Sequence, residues 1–216
     1  MVVIPYFGAR MSVARGDQDD DDQLMIKIAE GDQKAFAKLM SRHYTACVRF
    51  ALDFFKHQRT TLEVAQAAAE DAAQEIYLKV YQQAENWQHQ QATVKTWIFK
   101  MLYHYCIDEM RKYQTQQNHC HQSLNEAGQE PIIESNALAP LQSILVDANG
   151  HGVKFNLSGL SPEQRTALGL SLYSNFRYQQ IAEIMGLTES AVESLIRRAR
   201  KMLREKIRAD TDRLGR

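Results

Sequence analysis

Disulfide frameworks, membrane spans and catalytic signatures are all missing from this chain of 216 residues. Its cysteines, Cys47, Cys106 and Cys120, are odd in number, widely spaced and form no CxxC pair. That pattern excludes a disulfide scaffold and a cysteine-rich zinc site, and reduced thiols are expected. No stretch approaches the roughly 18 consecutive apolar residues that a membrane span requires, so no membrane insertion is expected. The opening MVVIPYFGARMSVARGDQDDDD lacks a basic start followed by an apolar run, which points to the cytoplasm; Met11 is an alternative start. There is no Walker-type glycine loop, no HExxH and no GxSxG. The expectation is a protein with no catalytic residues and no cofactor, not an enzyme.

Net charge is absent too, but only in sum. From Leu157 onward the chain carries 11 Lys and Arg against 7 Asp and Glu, a net of +4, which leaves 15 against 19 upstream, a net of −4. The basic end is the better candidate for nucleic acid. A hydrophobic share of 44% with 24% charged residues is ordinary globular composition, and a packed core is expected. The length suits one domain or two small ones.

Helical periodicity dominates. Leu24, Ile28, Phe36, Leu39, Met40, Tyr44, Val48 and Leu52 recur at near-helical spacing, broken only at Gly31-Asp32. Further amphipathic stretches run from about Leu62 to Tyr81 and from about Val94 to Arg111. From Tyr113 to about Phe155 the pattern dissolves into Gln, Asn, His, Ser and Gly, a composition that suits a linker. Helical patterning resumes at Ser161-Pro162, where Ser161 fits an N-cap and Pro162 the first helical position. The predicted fold is all-α. It comprises a disordered acidic tail (1–21), a helical bundle (22–113), a flexible linker (114–156) and a short helical domain (157–209).

The most informative stretch is QQIAEIMGLTESAVESLIRRARKML. Ile181, Ala182, Ile184 and Met185 share an apolar face, Gly186 suits the left-handed end of a helix, and Thr188 can cap the next one. Leu187 and Val192 are placed for a hydrophobic staple across that cap. The second helix turns Val192, Leu195, Ile196, Ala199 and Leu203 inward. Glu193, Ser194, Arg197, Arg200, Lys201 and Arg204 face the other way, with Arg198 at the flank. Such a pair is either an amphipathic hairpin with a solvated basic face or a helix-turn-helix, here Tyr178 to Arg197, whose second helix enters a major groove.

LSPEQR, YQQIAEIMGL and RARKML, in register, resemble the C-terminal DNA-reading domain (region 4) of bacterial extracytoplasmic-function sigma factors. The N-terminal half is similar to the same family. AEGDQKAF resembles the start of region 2, EDAAQEIYLKVY its polymerase-docking segment, and TWIFKMLYHYCIDEMRK the helix that opens and reads the downstream promoter element. The resemblance implies a transcription initiation factor that binds core RNA polymerase and promoter DNA, with an anti-sigma protein as its usual restraint. It assigns polymerase contact to Asp71, Gln74, Glu75 and Leu78. The downstream element falls to Trp97, Lys100, Tyr103, His104, Asp108, Arg111 and Lys112. The upstream element falls to Thr188, Glu189, Ser190, Glu193, Ser194, Arg197, Arg198 and Lys201.

The residues suit those tasks. Asp71, Gln74, Glu75 and Leu78 fall at helical three- and four-residue steps, putting carboxylates and an amide beside an apolar contact. Trp97, Phe99, Tyr103 and Tyr105 interleave with Lys100, His104, Arg111 and Lys112; rings can stack on unpaired bases while cations follow the backbone. Taken alone, the first pattern fits a solvated helix surface, and in the second Trp97, Met101 and Ile107 fit a core. Two departures from the family stand out. Tyr103-His104 replaces the usual Arg-Asn, and Glu193 stands where a basic residue is common. The interval KHQRTTLEVAQAAA is longer than usual and predicts an added helical turn. His119-Cys120-His121 raises a metal-sensor alternative, but these ligands alone do not close a tetrahedral site, so no metal is expected. A stand-alone helix-turn-helix regulator is the other alternative.

Overall fold

The computed structural model describes residues 20–56, 61–87, 92–126, 143–146, 152–155 and 159–214. Its helices are α1 (Asp21–Ala29), α2 (Gln33–Phe55), α3 (Leu62–Gln83), α4 (Val94–Glu126), α5 (Pro162–Tyr173), α6 (Tyr178–Met185) and α7 (Glu189–Leu214). A 3-10 turn (Ala84–Asn86) follows α3. Among the described residues the fold is all-α, as the periodicity predicts, save for one antiparallel hairpin of β1 (Ser143–Val146) and β2 (Gly152–Phe155).

Local chemistry sets the helix ends. Gly31 adopts φ +89°, and Asp32 then caps α2, its Oδ1 accepting from the Lys34 amide at 2.8 Å and the Ala35 amide at 3.3 Å. Thr61 caps α3 and Thr93 caps α4 in the same way. At α5 the expected cap is a full capping box: the Gln164 amide donates to Ser161 Oγ, and the Ser161 amide donates to Gln164 Oε1.

The first four helices close a bundle around Leu24, Leu39, Cys47, Phe55, Ile76, Tyr77, Ile98 and Leu102, all buried. Ala65, Ala69, Ala72 and Ala73 line the buried side of α3. Small side chains there let α2 lie close against it. Within the interval KHQRTTLEVAQAAA, α3 begins at Leu62.

Several boundaries differ from the sequence expectation. Asp21, assigned to the acidic tail, opens α1 and bonds to Arg42 and His43, each at 2.6 Å. Helix α4 continues to Glu126, well into the stretch assigned to a linker, and the hairpin occupies more of that stretch. The last helix runs to Leu214 rather than ending near 209. Residues 1–19 and the side chains of His119, Cys120 and His121 lie outside the described residues. The two helical units also share one buried cluster, because α5 packs on α2 and α6 on α4.

Candidate nucleic-acid and docking interfaces

Each predicted patch is an exposed ridge on a helix whose opposite face is core. On α3, burial of Ala72, Ala73, Ile76 and Val80 turns Asp71, Gln74 and Leu78 outward. Leu78 is 51% exposed and Glu75 half-buried, 3.8 Å from Lys79. All four predicted residues therefore meet on one surface, where a bare leucine lies among carboxylates. Tyr81, 42% exposed and edge-on to Phe36 at 5.3 Å, lengthens the apolar portion of this surface by a further turn. Helical spacing from Leu78 could have found it. Tyr105 belongs on this side as well. Lys79 Nζ sits 5.3 Å from its ring centroid, and burial followed by the charges of Glu109 and Glu75 raises its phenol above the ordinary range.

On α4 the residues assigned to the downstream element divide. Lys100, His104, Asp108 and Arg111 follow helical steps, all are exposed, and they form one ridge. His104 donates from Nδ1 to the Lys100 carbonyl at 2.7 Å, which turns Nε2 outward, and Asp108 lies 3.6 Å from Arg111. Lys112, one further helical step past Asp108, is exposed and pairs with Glu109 at 2.7 Å. Trp97 is half-buried against Trp87, with ring centroids 5.2 Å apart. Tyr103 is half-buried against Phe54 at 6.3 Å. Burial first, then the Glu163 carboxylate, raises its phenol above the ordinary range. Met101 and Ile107 are half-buried, in keeping with the core alternative.

The helix-turn-helix forms as its chemistry dictates. Gly186 takes φ +67°, the Leu187 amide donates to the Ala182 carbonyl at 2.9 Å, and Thr188 Oγ1 accepts from the Ala191 amide at 3.3 Å. At the expected staple, Val192 is buried and Leu187 stays 40% exposed. On α7, Val192, Ile196, Ala199 and Leu203 are buried. Thr188, Glu189, Ser190, Glu193, Arg197, Arg198 and Lys201 are exposed. Ser194 is half-buried and accepts from Arg198 at its carbonyl and its hydroxyl, each at 3.3 Å. Arg198 is thereby held along its own helix.

Among the described residues the thiols, Cys47 and Cys106, are buried away from these surfaces. Burial pushes Cys47 up to about 12 and raises Cys106 as well, so both are inert. Among the described residues no group of three or more His, Cys, Asp and Glu is placed to hold a metal ion. No helix among them is long and apolar enough to cross a membrane.

Two helical units, the second a helix-turn-helix with a basic outer face and the first carrying an acidic-apolar ridge beside an aromatic-cationic one, define a bipartite DNA-reading protein. The sigma-70 region 2 family matches residues 39–116, and the sigma-70 region 4 family matches residues 157–203. The ECF RNA polymerase sigma factor SigK of Mycobacterium ulcerans is 25% identical over 195 residues, spanning 88% of this chain and 94% of that protein. The ECF RNA polymerase sigma-E factor of Haemophilus influenzae is 26% identical over 203 residues, 88% of this chain and 97% of that one. In fold the chain is similar to CnrH, solved with the cytosolic domain of CnrY (TM-score 0.57, 19% identity, 89% of this chain and 99% of that one). It is also similar to the sigma factor RpoE of Bartonella quintana, solved with the anti-sigma factor NepR (TM-score 0.53, 22% identity, 82% and 99%). The chain belongs to the extracytoplasmic-function group of the sigma-70 family and is a transcription initiation sigma factor.

Sequence reasoning missed the contacts that join the two units. Lys95, Thr96, Phe176 and Gln180 make them, and the loop aromatic Phe176, flanked by Asn175 and Arg177, was the available signal.

Proposed function

We propose that the α3 surface of Asp71, Gln74, Glu75 and Leu78 docks on core RNA polymerase, that α4 captures unpaired bases of the downstream element, and that α7 reads the upstream element as duplex. In this reading residues 22–113 act as region 2 and 157–209 as region 4. The observation that carries it is the occurrence, in family order, of three outward ridges of different chemistry on helices whose inner faces are core. Lys100 and Arg111 follow the strand while Trp97 and Tyr103 offer rings for stacking, and His104 and Asp108 border the captured base. The unstacking of a flipped base costs a few kcal/mol, which ring stacking offsets. Lys112 contributes phosphate attraction from the flank. On α7, the N-terminal Thr188, Glu189, Ser190, Glu193 and Ser194 lie nearest base edges, and Arg197, Arg198 and Lys201 nearest phosphates.

The chemistry of RNA synthesis then belongs to the polymerase, and this chain acts in the cytoplasm as a recognition and melting subunit. The relatives solved with CnrY and with NepR support a protein restraint of anti-sigma type for this chain too. The docking assignment is tested by Asp71→Ala with Glu75→Ala in the full chain. Both carboxylates are surface groups, so folding should be unchanged by circular dichroism. Affinity for core polymerase is expected to fall by roughly ten- to a hundredfold, as for loss of about 1.4 to 3 kcal/mol at a docking interface. Unchanged affinity in a folded variant would remove α3 from the interface.

A further inference from the structure

The outer face of α7 continues past the helix-turn-helix. The sigma-70 region 4 family matches residues 157–203, whereas α7 runs on to Leu214. Ser190, Arg197, Lys201, Arg204 and Arg208 follow one another at steps of seven, four, three and four residues, so they share one strip of the helix, with Arg200 at its edge. All six are exposed, and Val192, Ile196, Ala199 and Leu203 are buried on the opposite side. The later turns are anchored as well. A Cβ on Gly159 would lie 3.3 Å from Lys206 Nζ and 3.9 Å from Met202 Sδ, so this part of α7 packs on the turn before α5.

The charge on this strip is nearly of one sign. From Arg197 to Arg208 the chain carries seven Lys and Arg against Glu205 alone. Glu205 lies 3.9 Å from Lys201, while Arg197, Arg200, Arg204 and Arg208 make no ion pair with another described residue. Like charges four residues apart, as at Arg197 and Lys201, Arg200 and Arg204, or Arg204 and Arg208, destabilise a helix, and a polyanion relieves that repulsion. Length then decides where such a polyanion is met. At a rise of 1.5 Å per residue, Arg204 and Arg208 stand about 21 and 27 Å along the axis from Ser190, and a major groove is only about 12 Å wide. A helix whose first turns read base edges carries these two arginines past the groove and over its phosphate wall.

We propose that Arg204 and Arg208, with Arg200 beside them, form a phosphate clamp on the duplex flanking the bases that α7 reads. The inference rests on α7 as the upstream-element reader and extends its footprint beyond the groove. Contacts of this kind add affinity and fix the register of the helix without selecting bases.

The test uses holoenzyme reconstituted from core RNA polymerase and the full chain, bound to promoter duplex over a range of salt. Arg204→Gln with Arg208→Gln removes both charges and keeps side chains that favour a helix, and circular dichroism reads helix content. If the double variant loses helix, Arg208→Gln alone gives the same reading at half the size. Contacts made by the polymerase are common to parent and variant. Loss of two phosphate contacts should flatten the slope of log affinity against log salt by about 1.8, so between about 50 and 200 mM salt the parent should lose about tenfold more affinity than the variant. Phosphate-ethylation interference should disappear at positions flanking the upstream element, and preference for that element over a scrambled one should be unchanged. An unchanged slope with unchanged interference overturns the clamp. A changed element preference assigns the arginines to base reading, and weaker assembly with core polymerase assigns them to a protein surface; either overturns it. Arg197→Gln separates the two readings. If it also leaves upstream interference unchanged, α7 is not the reader and both fall, whereas an effect at Arg197 with none at Arg204 and Arg208 overturns the clamp alone.

Discussion

Glu193 is the residue at which this factor's promoter preference should depart most from its relatives. It stands exposed on the outer face of α7, one turn in from the cap. A carboxylate there gains nothing from phosphate but accepts from a cytosine amine in the major groove. Glu193→Ala is expected to leave folding unchanged and to relax selection at one upstream base pair by about 1 to 3 kcal/mol. Competition binding of holoenzyme to a single-base promoter series measures this, and an unchanged profile would remove Glu193 from the readout. Asp21 carries a different kind of prediction. Burial alone would raise its carboxyl, but hydrogen bonds from His43 and Arg42 outweigh that and hold it below the usual carboxylate range. A depressed folded pKa gives stability that is present above the unfolded value of about 3.9 and is lost as pH falls through the folded value. The melting temperatures of parent and Asp21→Asn should therefore differ at neutral pH and converge in acid below about pH 4. A gap that persists in strong acid would contradict the ion pair's role.

At the scale of the element, the turn of the helix-turn-helix is the sharpest case. Gly186 is at φ +67° and a Cβ there would meet nothing within 4 Å, so Gly186→Ala probes backbone conformation without a clash. The expected cost is about 1 to 2 kcal/mol, read by denaturant or thermal unfolding. This turn is legible in sequence because glycine, cap and apolar face agree, and the same holds for Ser161-Pro162 at α5. The extension of α4 is not. The polarity of QTQQNHCHQSLNE suggests a linker, but polarity does not break a helix; glycine and proline do, and the first of these after Lys112 is Gly128. The hairpin escapes for the opposite reason. Its strands are four residues each, too short for alternation to register, although Asn149-Gly150 between apolar runs is a known hairpin signal. In α2 the expected face is half right. Leu39 is buried, Tyr44, Val48 and Leu52 are half-buried, and the deepest line is Cys47, Ala51 and Phe55, two of which carry little weight in an apolar pattern.

At the scale of the whole molecule, what sequence could not show is how the units meet. Phe99 reads as core from its own helix, and nothing in its periodicity says that one of its neighbours is Phe176, 77 residues away by number. The three proposed ridges are legible because each lies on one helix with regular spacing. Lys112, one helical step past Asp108, pairs with Glu109, a contact its spacing alone does not reveal. As a sigma factor this chain turns core polymerase into a promoter-opening enzyme. Core polymerase reconstituted with the purified factor, on fragments selected from the host genome, tests it through permanganate footprinting of unpaired thymines with mapping of transcript starts. Factor-dependent starts with an unpaired segment just upstream are expected, both lost in the Asp71→Ala, Glu75→Ala variant. Duplex binding by the factor alone, with no factor-dependent opening or start on any fragment, would contradict it.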